Sequence, residues 1–356
     1  ELTNREQAML DRVAADYEDI IVVVNAANAM ELGFVDEYEQ ISSVLWCPGT
    51  GQSGFNSLGS ILKGETNPSA KTSDTFVRDL TKTPTYNNFG FFAYDNMDEF
   101  EVDGFVPNFV NYTDGIYVGY RFYETAAEEG LINYEEMVQY PFGYGLSYTT
   151  FEQKMGELEV KDGTISVDVT VTNTGDAAGK DVVEIYYNPP YTNGGIEKAS
   201  VNLIGFEKTE VLEPGESETV TVTFAEEDMA SYDDINAKAY VLEAGDYEIS
   251  LRTDSHTVVD TKTHTVDETI TYSGENGRST DETTATNQLD FANGDVTYLS
   301  RANGFANYAD ATAAPTNFTM SEEDKATFMN NSNYNPEDYN DESDEMPTTG
   351  AKNGLE

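Results

Sequence analysis

An α/β unit followed by an all-β sandwich and an irregular acidic tail is the architecture that this 356-residue sequence predicts. Three observations carry the prediction. The uniformly β-branched run Ile20-Ile-Val-Val-Val24 follows an amphipathic helical stretch, and a second strand-and-helix pattern comes after it. From Phe151 the hydrophobic period becomes two, the alternation of half-buried strands. Beyond about residue 268 the chain turns rich in Thr, Asn, Gly and Asp. The stretch Tyr140-Pro-Phe-Gly-Tyr-Gly-Leu-Ser-Tyr-Thr-Thr-Phe151 joins the two halves with different periodicities.

The elements follow in order. Leu2-Thr3-Asn4 with Glu6 nearby is a helix start, and Ala8, Met9, Val13 and Ala14 share one face. The run at 20–24 has the pattern of a strand covered on both sides in a parallel sheet. Residues 30–38 connect it to a short strand, Ile41-Ser-Ser-Val-Leu-Trp46, and Cys47-Pro-Gly-Thr-Gly-Gln-Ser-Gly54 makes a tight turn. A helix from Phe55 to Leu62 stops at Gly64, which completes a right-handed α/β layer. Residues 65–115 are irregular, a length of loop that is usually functional or disordered. Their aromatics (Phe76, Tyr86, Phe89, Phe91, Phe92, Tyr94, Phe100, Phe105 and Phe109) argue for an ordered loop.

In the second half, Ile165, Val167, Val169 and Val171 alternate with polar residues, and Asn173-Thr-Gly175 turns the chain. Strand-like segments follow at 182–187, 201–206, 217–224, 238–243 and 247–252, punctuated by Leu212-Glu-Pro-Gly-Glu216 and Glu243-Ala-Gly-Asp246. This spacing fits an immunoglobulin-like sandwich. The expected division is 1–145 for the α/β unit, 146–268 for the sandwich and 269–356 for an acidic linker. That linker has a strand-like island at Val296-Thr-Tyr-Leu-Ser300 and a solvated run at Glu337, Asp338, Asp341, Glu342, Asp344 and Glu345.

Net charge is −47, from 66 acidic against 19 basic residues, a field that repels nucleic acid and anionic lipid. A neutral sugar is indifferent to it. The single cysteine, Cys47, excludes an internal disulfide and a Cys-based zinc site. No apolar run has the length of a membrane span. Because the first residue is Glu1, the sequence is expected to be a fragment, and its compartment stays open.

With 66 carboxylates, spacing alone picks out no acid/base pair. His256 and His264 lie eight apart without a ligand pattern and are expected on the surface or an edge strand. No Gly-x-Ser-x-Gly elbow, P-loop or dinucleotide fingerprint occurs. The turn from Trp46 to Gln52 ends a strand and opens a helix, at the carboxyl edge where α/β sheets take ligands. Trp46 there either stacks on a sugar ring or packs in the core. Met346-Pro-Thr-Thr-Gly350 compares with a sortase anchor but is expected to be a linker motif.

Asn25-Ala-Ala-Asn-Ala-Met-Glu-Leu-Gly33, Leu45-Trp-Cys-Pro-Gly-Thr-Gly-Gln-Ser-Gly54, Gly115-Ile-Tyr-Val-Gly-Tyr-Arg-Phe-Tyr123 and Pro141-Phe-Gly-Tyr-Gly-Leu-Ser-Tyr148 resemble the α/β sandwich domain of family 3 glycoside hydrolases. Val169-Thr-Val-Thr-Asn-Thr-Gly175, Leu203-Ile-Gly-Phe206 and Leu212-Glu-Pro-Gly-Glu216 resemble the fibronectin-III-like domain that follows it. Thr297-Tyr-Leu-Ser-Arg301 and Met346 to Asn353 resemble the linker of a permuted subgroup, in which a catalytic (β/α)8 barrel comes last. The resemblance implies a retaining β-glucosidase-like enzyme, acting on terminal β-linked glucose or xylose without a metal or cofactor. It implies an aspartate nucleophile on the barrel and an acid/base glutamate just before the segment matching Leu2-Thr3. Both are expected outside this chain, so no residue here is assigned as catalytic.

Substrate-side candidates are Trp46, Gln52, Tyr86 and Phe91, from the 46–52 turn and the 86–109 loop. Expected partners are an oligosaccharide, through the parent enzyme, and the barrel in cis, with no nucleic acid and no membrane contact. The oligomeric state stays open, and the location leans to an extracytoplasmic or cell-associated bacterial protein. The isolated chain is expected to be inactive, with residues 20–24 poorly protected from hydrogen exchange. The competing expectations are a non-catalytic Ig-like surface module on an acidic stalk, and a carbohydrate-binding module using Trp46.

Overall fold

The computed structural model describes residues 2–96, 108–281, 285 and 296–326. Helix α1, Asn4–Asp16, begins at a capping box: Glu6 N donates to Thr3 Oγ1, and the Glu6 carboxylate accepts from Thr3 N at 2.7 Å. Strands β1, Ile20–Val24, and β2, Ile41–Trp46, pair in parallel, and helix α2, Phe55–Leu62, follows. Coverage of β1 on both sides does not hold among the described residues. Ile20 and Val24 are buried, but Ile21 is 50% and Val23 38% exposed. Among the described residues only one face of this two-stranded sheet packs, with Val24 and the partly buried Trp46 against Leu32 and Phe76.

Strand β3, Phe76–Val77, and the pair β4, Phe92–Ala93, and β5, Asn108–Phe109, give the aromatic segment regular structure. Phe100 and Phe105 lie outside the described residues. Helix α3, Tyr120–Glu128, buries five consecutive residues, Phe122 to Ala126, because it is packed from several sides. Helix α4, Tyr134–Met137, runs into β6, Val138–Tyr140, which pairs antiparallel with β3.

The sandwich begins with β7, Phe151–Lys161, and β8, Thr164–Asn173. They are joined by Asp162-Gly163 at φ +50° and +76°, the two-residue turn whose twist suits a hairpin. Then come β9, Val182–Asn188; β10, Asn202–Lys208; β11, Ser217–Ala225; β12, Ser231–Asp233; β13, Ala239–Leu242; β14, Gly245–Arg252; β15, Val258–Val266; and β16, Ile270–Tyr272. Sheet order β10-β9-β14-β15 faces β11-β8-β7, and β12-β13-β16 forms a small third sheet. The alternating residues Ile165, Val167, Val169 and Val171 all point inward, against Val183, Ile185, Ile249 and Leu251. Strands β7 and β15 escaped the sequence reading because Glu, Lys and Thr interrupt their apolar pattern.

Part of the segment expected as irregular linker is folded. Helices α5, Ala302–Phe305, and α6, Tyr308–Ala311, bring Leu299, Phe305 and Ala311 into a core with Tyr117, Phe122, Ala126 and Met137. The acidic run at 337–345 and Met346 to Gly350 lie outside the described residues. Where the two units meet, Ser200 N donates to Thr125 Oγ1 and Leu203 N to Tyr120 Oη, both at 2.9 Å, so α3 supplies acceptors at the start of β10.

Candidate functional site

Two places gather chemistry around α3. The first is the seam between the units. The Glu124 carboxylate, on α3, is buried and accepts from Ser255 Oγ at 3.0 Å, with His256 Nδ1 2.9 Å away. His256 stacks on Tyr134 with ring centres 3.6 Å apart. Its hydrogen bond to Glu124 holds the imidazolium above the usual histidine range. Arg252, also buried, donates to Ser250 Oγ, to Ser255 O and to Asn188 Oδ1. Nearby, Tyr186 Oη donates to Glu184 Oε2 at 2.6 Å, and burial pushes the Glu184 carboxyl up to about 7. His264 lies on the edge strand β15, where it pairs with Glu226 at 2.6 Å, but it is buried rather than on the surface. Among the described residues no three His, Cys, Asp or Glu side chains converge as a metal site would require.

The second is a cavity of about 350 Å³ between β3, the turn at 80–85 and the N-terminal end of α3. Asn28 and Ala29, just past β1, close one side, and Tyr117, Phe122 and Tyr123 present aromatic rings. Two carboxylates line it. Asp74 is exposed and accepts from Thr75 N at 2.8 Å. Asp114 is only 8% exposed, and burial raises its pKa against the pull of its own backbone N–H. The Thr75 hydroxyl is buried without a partner among the described residues.

The sequence-derived candidates belong to neither place, although Tyr86 directly follows Thr85 of the cavity lining. Trp46 Nε1 donates to Ala26 O at 2.9 Å, and the indole meets Phe76 edge-on at 5.2 Å, so both its polar and apolar parts are engaged inside the fold. Gln52 is exposed in the turn before α2, and Tyr86 and Phe91 are 53% and 73% exposed. None of the four lines the cavity. Sequence reading missed Glu124 and Glu184 because each is one carboxylate among 66, and what marks them is burial by a distant segment.

Residues 1–148 match the glycosyl hydrolase family 3 C-terminal domain, and residues 181–255 match the fibronectin type III-like domain. β-Glucosidase A of Butyrivibrio fibrisolvens is 37% identical over 271 residues, which cover 71% of this chain and 30% of that enzyme. Among solved structures, a β-glucosidase of Paenibacillus barengoltzii aligns with TM-score 0.66 and 30% identity, over 76% of this chain and 28% of its own. β-Glucosidase 3B of Thermotoga neapolitana, solved with α-D-glucose, aligns with TM-score 0.63 and 32% identity, over 77% and 35%. The fold and these matches define the accessory α/β and sandwich portion of a glycoside hydrolase. The chain belongs to glycosyl hydrolase family 3, and it spans about a third of the length of the relatives it matches.

Proposed function

We propose that this chain is the non-barrel part of a retaining β-glycosidase that releases terminal β-linked glucose or xylose from oligosaccharides. The observation that carries the reading is the match, in order, of its two domains to the family's C-terminal and fibronectin type III-like domains, together with 37% identity to a β-glucosidase over 271 residues. In this reading the α/β unit, 1–145, flanks a catalytic (β/α)8 barrel, the sandwich, 146–268, braces the pair, and 269–356 leads to the barrel. The nucleophile and acid/base belong to segments other than residues 1–356.

Gln52, Tyr86 and Phe91 then border the aglycone side. Their exposure supports that role. Trp46, tied to Ala26 and Phe76, holds the 46–52 turn in place.

The test is an assay of the purified chain on aryl β-glucosides and β-xylosides, alone and fused to the barrel of the Butyrivibrio enzyme. The expected result is no turnover alone and hydrolysis with retained configuration by the fusion. Turnover by the chain alone, or a folded but inactive fusion, overturns the reading.

A further inference from the structure

The cavity beside α3 carries charged side chains of one sign only. Its lining holds two carboxylates, Asp74 and Asp114, and no lysine, arginine or histidine. Asp114 is more than nine-tenths buried, and no other residue among those described donates to its carboxylate. A buried carboxylate without a counter-charge is costly, and a hydroxyl donor would leave that charge unpaired. Three aromatic side chains, Tyr117, Phe122 and Tyr123, line the same cavity, and aromatic surroundings favour cations. The volume suits a small molecule, and the surplus of 47 negative charges enriches cations around it while excluding anions.

The walls are preformed. Tyr308 Oη donates to Lys82 O behind the 80–85 turn, and the Tyr308 ring stacks on Phe122 at 6.0 Å. We propose that this cavity binds a small organic cation bearing a primary ammonium, held between buried Asp114 and exposed Asp74.

Titration calorimetry of the full chain with putrescine tests it, with glycerol and glucose as neutral comparators. Saturable putrescine binding that weakens with added salt is expected. Asp74→Asn and Asp114→Asn should each weaken it roughly tenfold, the loss expected for one charge-assisted hydrogen bond. Val118→Lys, at a lining position that is 58% exposed and so tolerates substitution, should abolish binding by seating an ammonium in the cavity. Because Asp74 and Val118 are exposed, these two variants keep the fold even if Asp114→Asn does not. Three results overturn the proposal: no saturable putrescine binding, binding unchanged in Asp74→Asn and Val118→Lys, or salt-independent binding of glucose or glycerol in its place.

Discussion

Gly143 shows how tightly the two units meet at a single residue. Its φ is +80°, its N–H donates to Thr72 O at 2.8 Å, and a Cβ added there would lie 2.3 Å from Glu184 Oε2. Both the backbone and the buried carboxylate therefore require glycine. Gly143→Ala should destabilise the chain by more than about 1 kcal/mol and lower the thermal midpoint. An unchanged midpoint would mean that neither the positive φ nor the approach to Glu184 carries a cost. The Pro141-Phe-Gly-Tyr-Gly junction was legible in sequence, but its contact with Glu184 was not. Alternation along β9 puts Val183, Ile185 and Tyr187 in the sandwich core and turns Glu184 and Tyr186 the other way, toward what would be solvent. The first unit covers that outer face instead, with Tyr120 edge-on to Tyr186. Trp46 was legible only as two alternatives, since strand periodicity does not reveal that Ala26 O accepts its indole N–H.

At the scale of elements, residues 296–320 act as a strap along the aromatic segment. Asn88, 1% exposed, donates through Nδ2 to Ala313 O at 3.0 Å and Ala311 O at 3.4 Å. Asp95 N donates to Phe318 O, Asn96 exchanges hydrogen bonds with the Met320 backbone, and Phe318 packs on Phe92 and Phe109. Farther up the strap, Arg301 pairs with Glu128 and Glu129 of the α3 end and lies 4.3 Å from the Tyr191 ring centre. Asn88→Ala should cost about 1–3 kcal/mol, because it strips a donor from two carbonyls. It should speed amide exchange in 86–96 and 311–320 together. Faster exchange in only one of the two segments would refute the strap. Composition read this stretch as linker because its bonds run from side-chain amides to carbonyls more than 220 positions away, which leaves no periodicity to detect. The alternating core of β8, by contrast, was plain, because a strand buried on one face must write period two into its own residues.

For the whole molecule, the seam makes stability depend on protons. Glu184 moves from 4.5 to about 7 on folding, so between those values the folded chain holds more protons than the unfolded one. Its contribution is complete at the acid end and lost as pH rises to about 7, worth about 3 kcal/mol in all. His256 acts in the same sense. Raised by Glu124, its contribution is present below its unfolded value of 6.5 and fades as pH climbs through the higher folded one. The thermal midpoint should therefore fall as pH rises from about 5 through 7. Glu184→Gln, which keeps an acceptor for Tyr186 Oη, should flatten most of that fall. A variant with the wild-type slope would place the titration elsewhere.

The bonds from Ser200 N and Leu203 N to α3 bear on how such proteins can be recombined. Cut out at its sequence boundary, the sandwich would lose acceptors for the backbone amides of Ser200, just before β10, and Leu203, within it. A graft between relatives must therefore carry α3 and the 140–145 junction with it. The smallest transplantable piece is larger than the smallest recognisable domain.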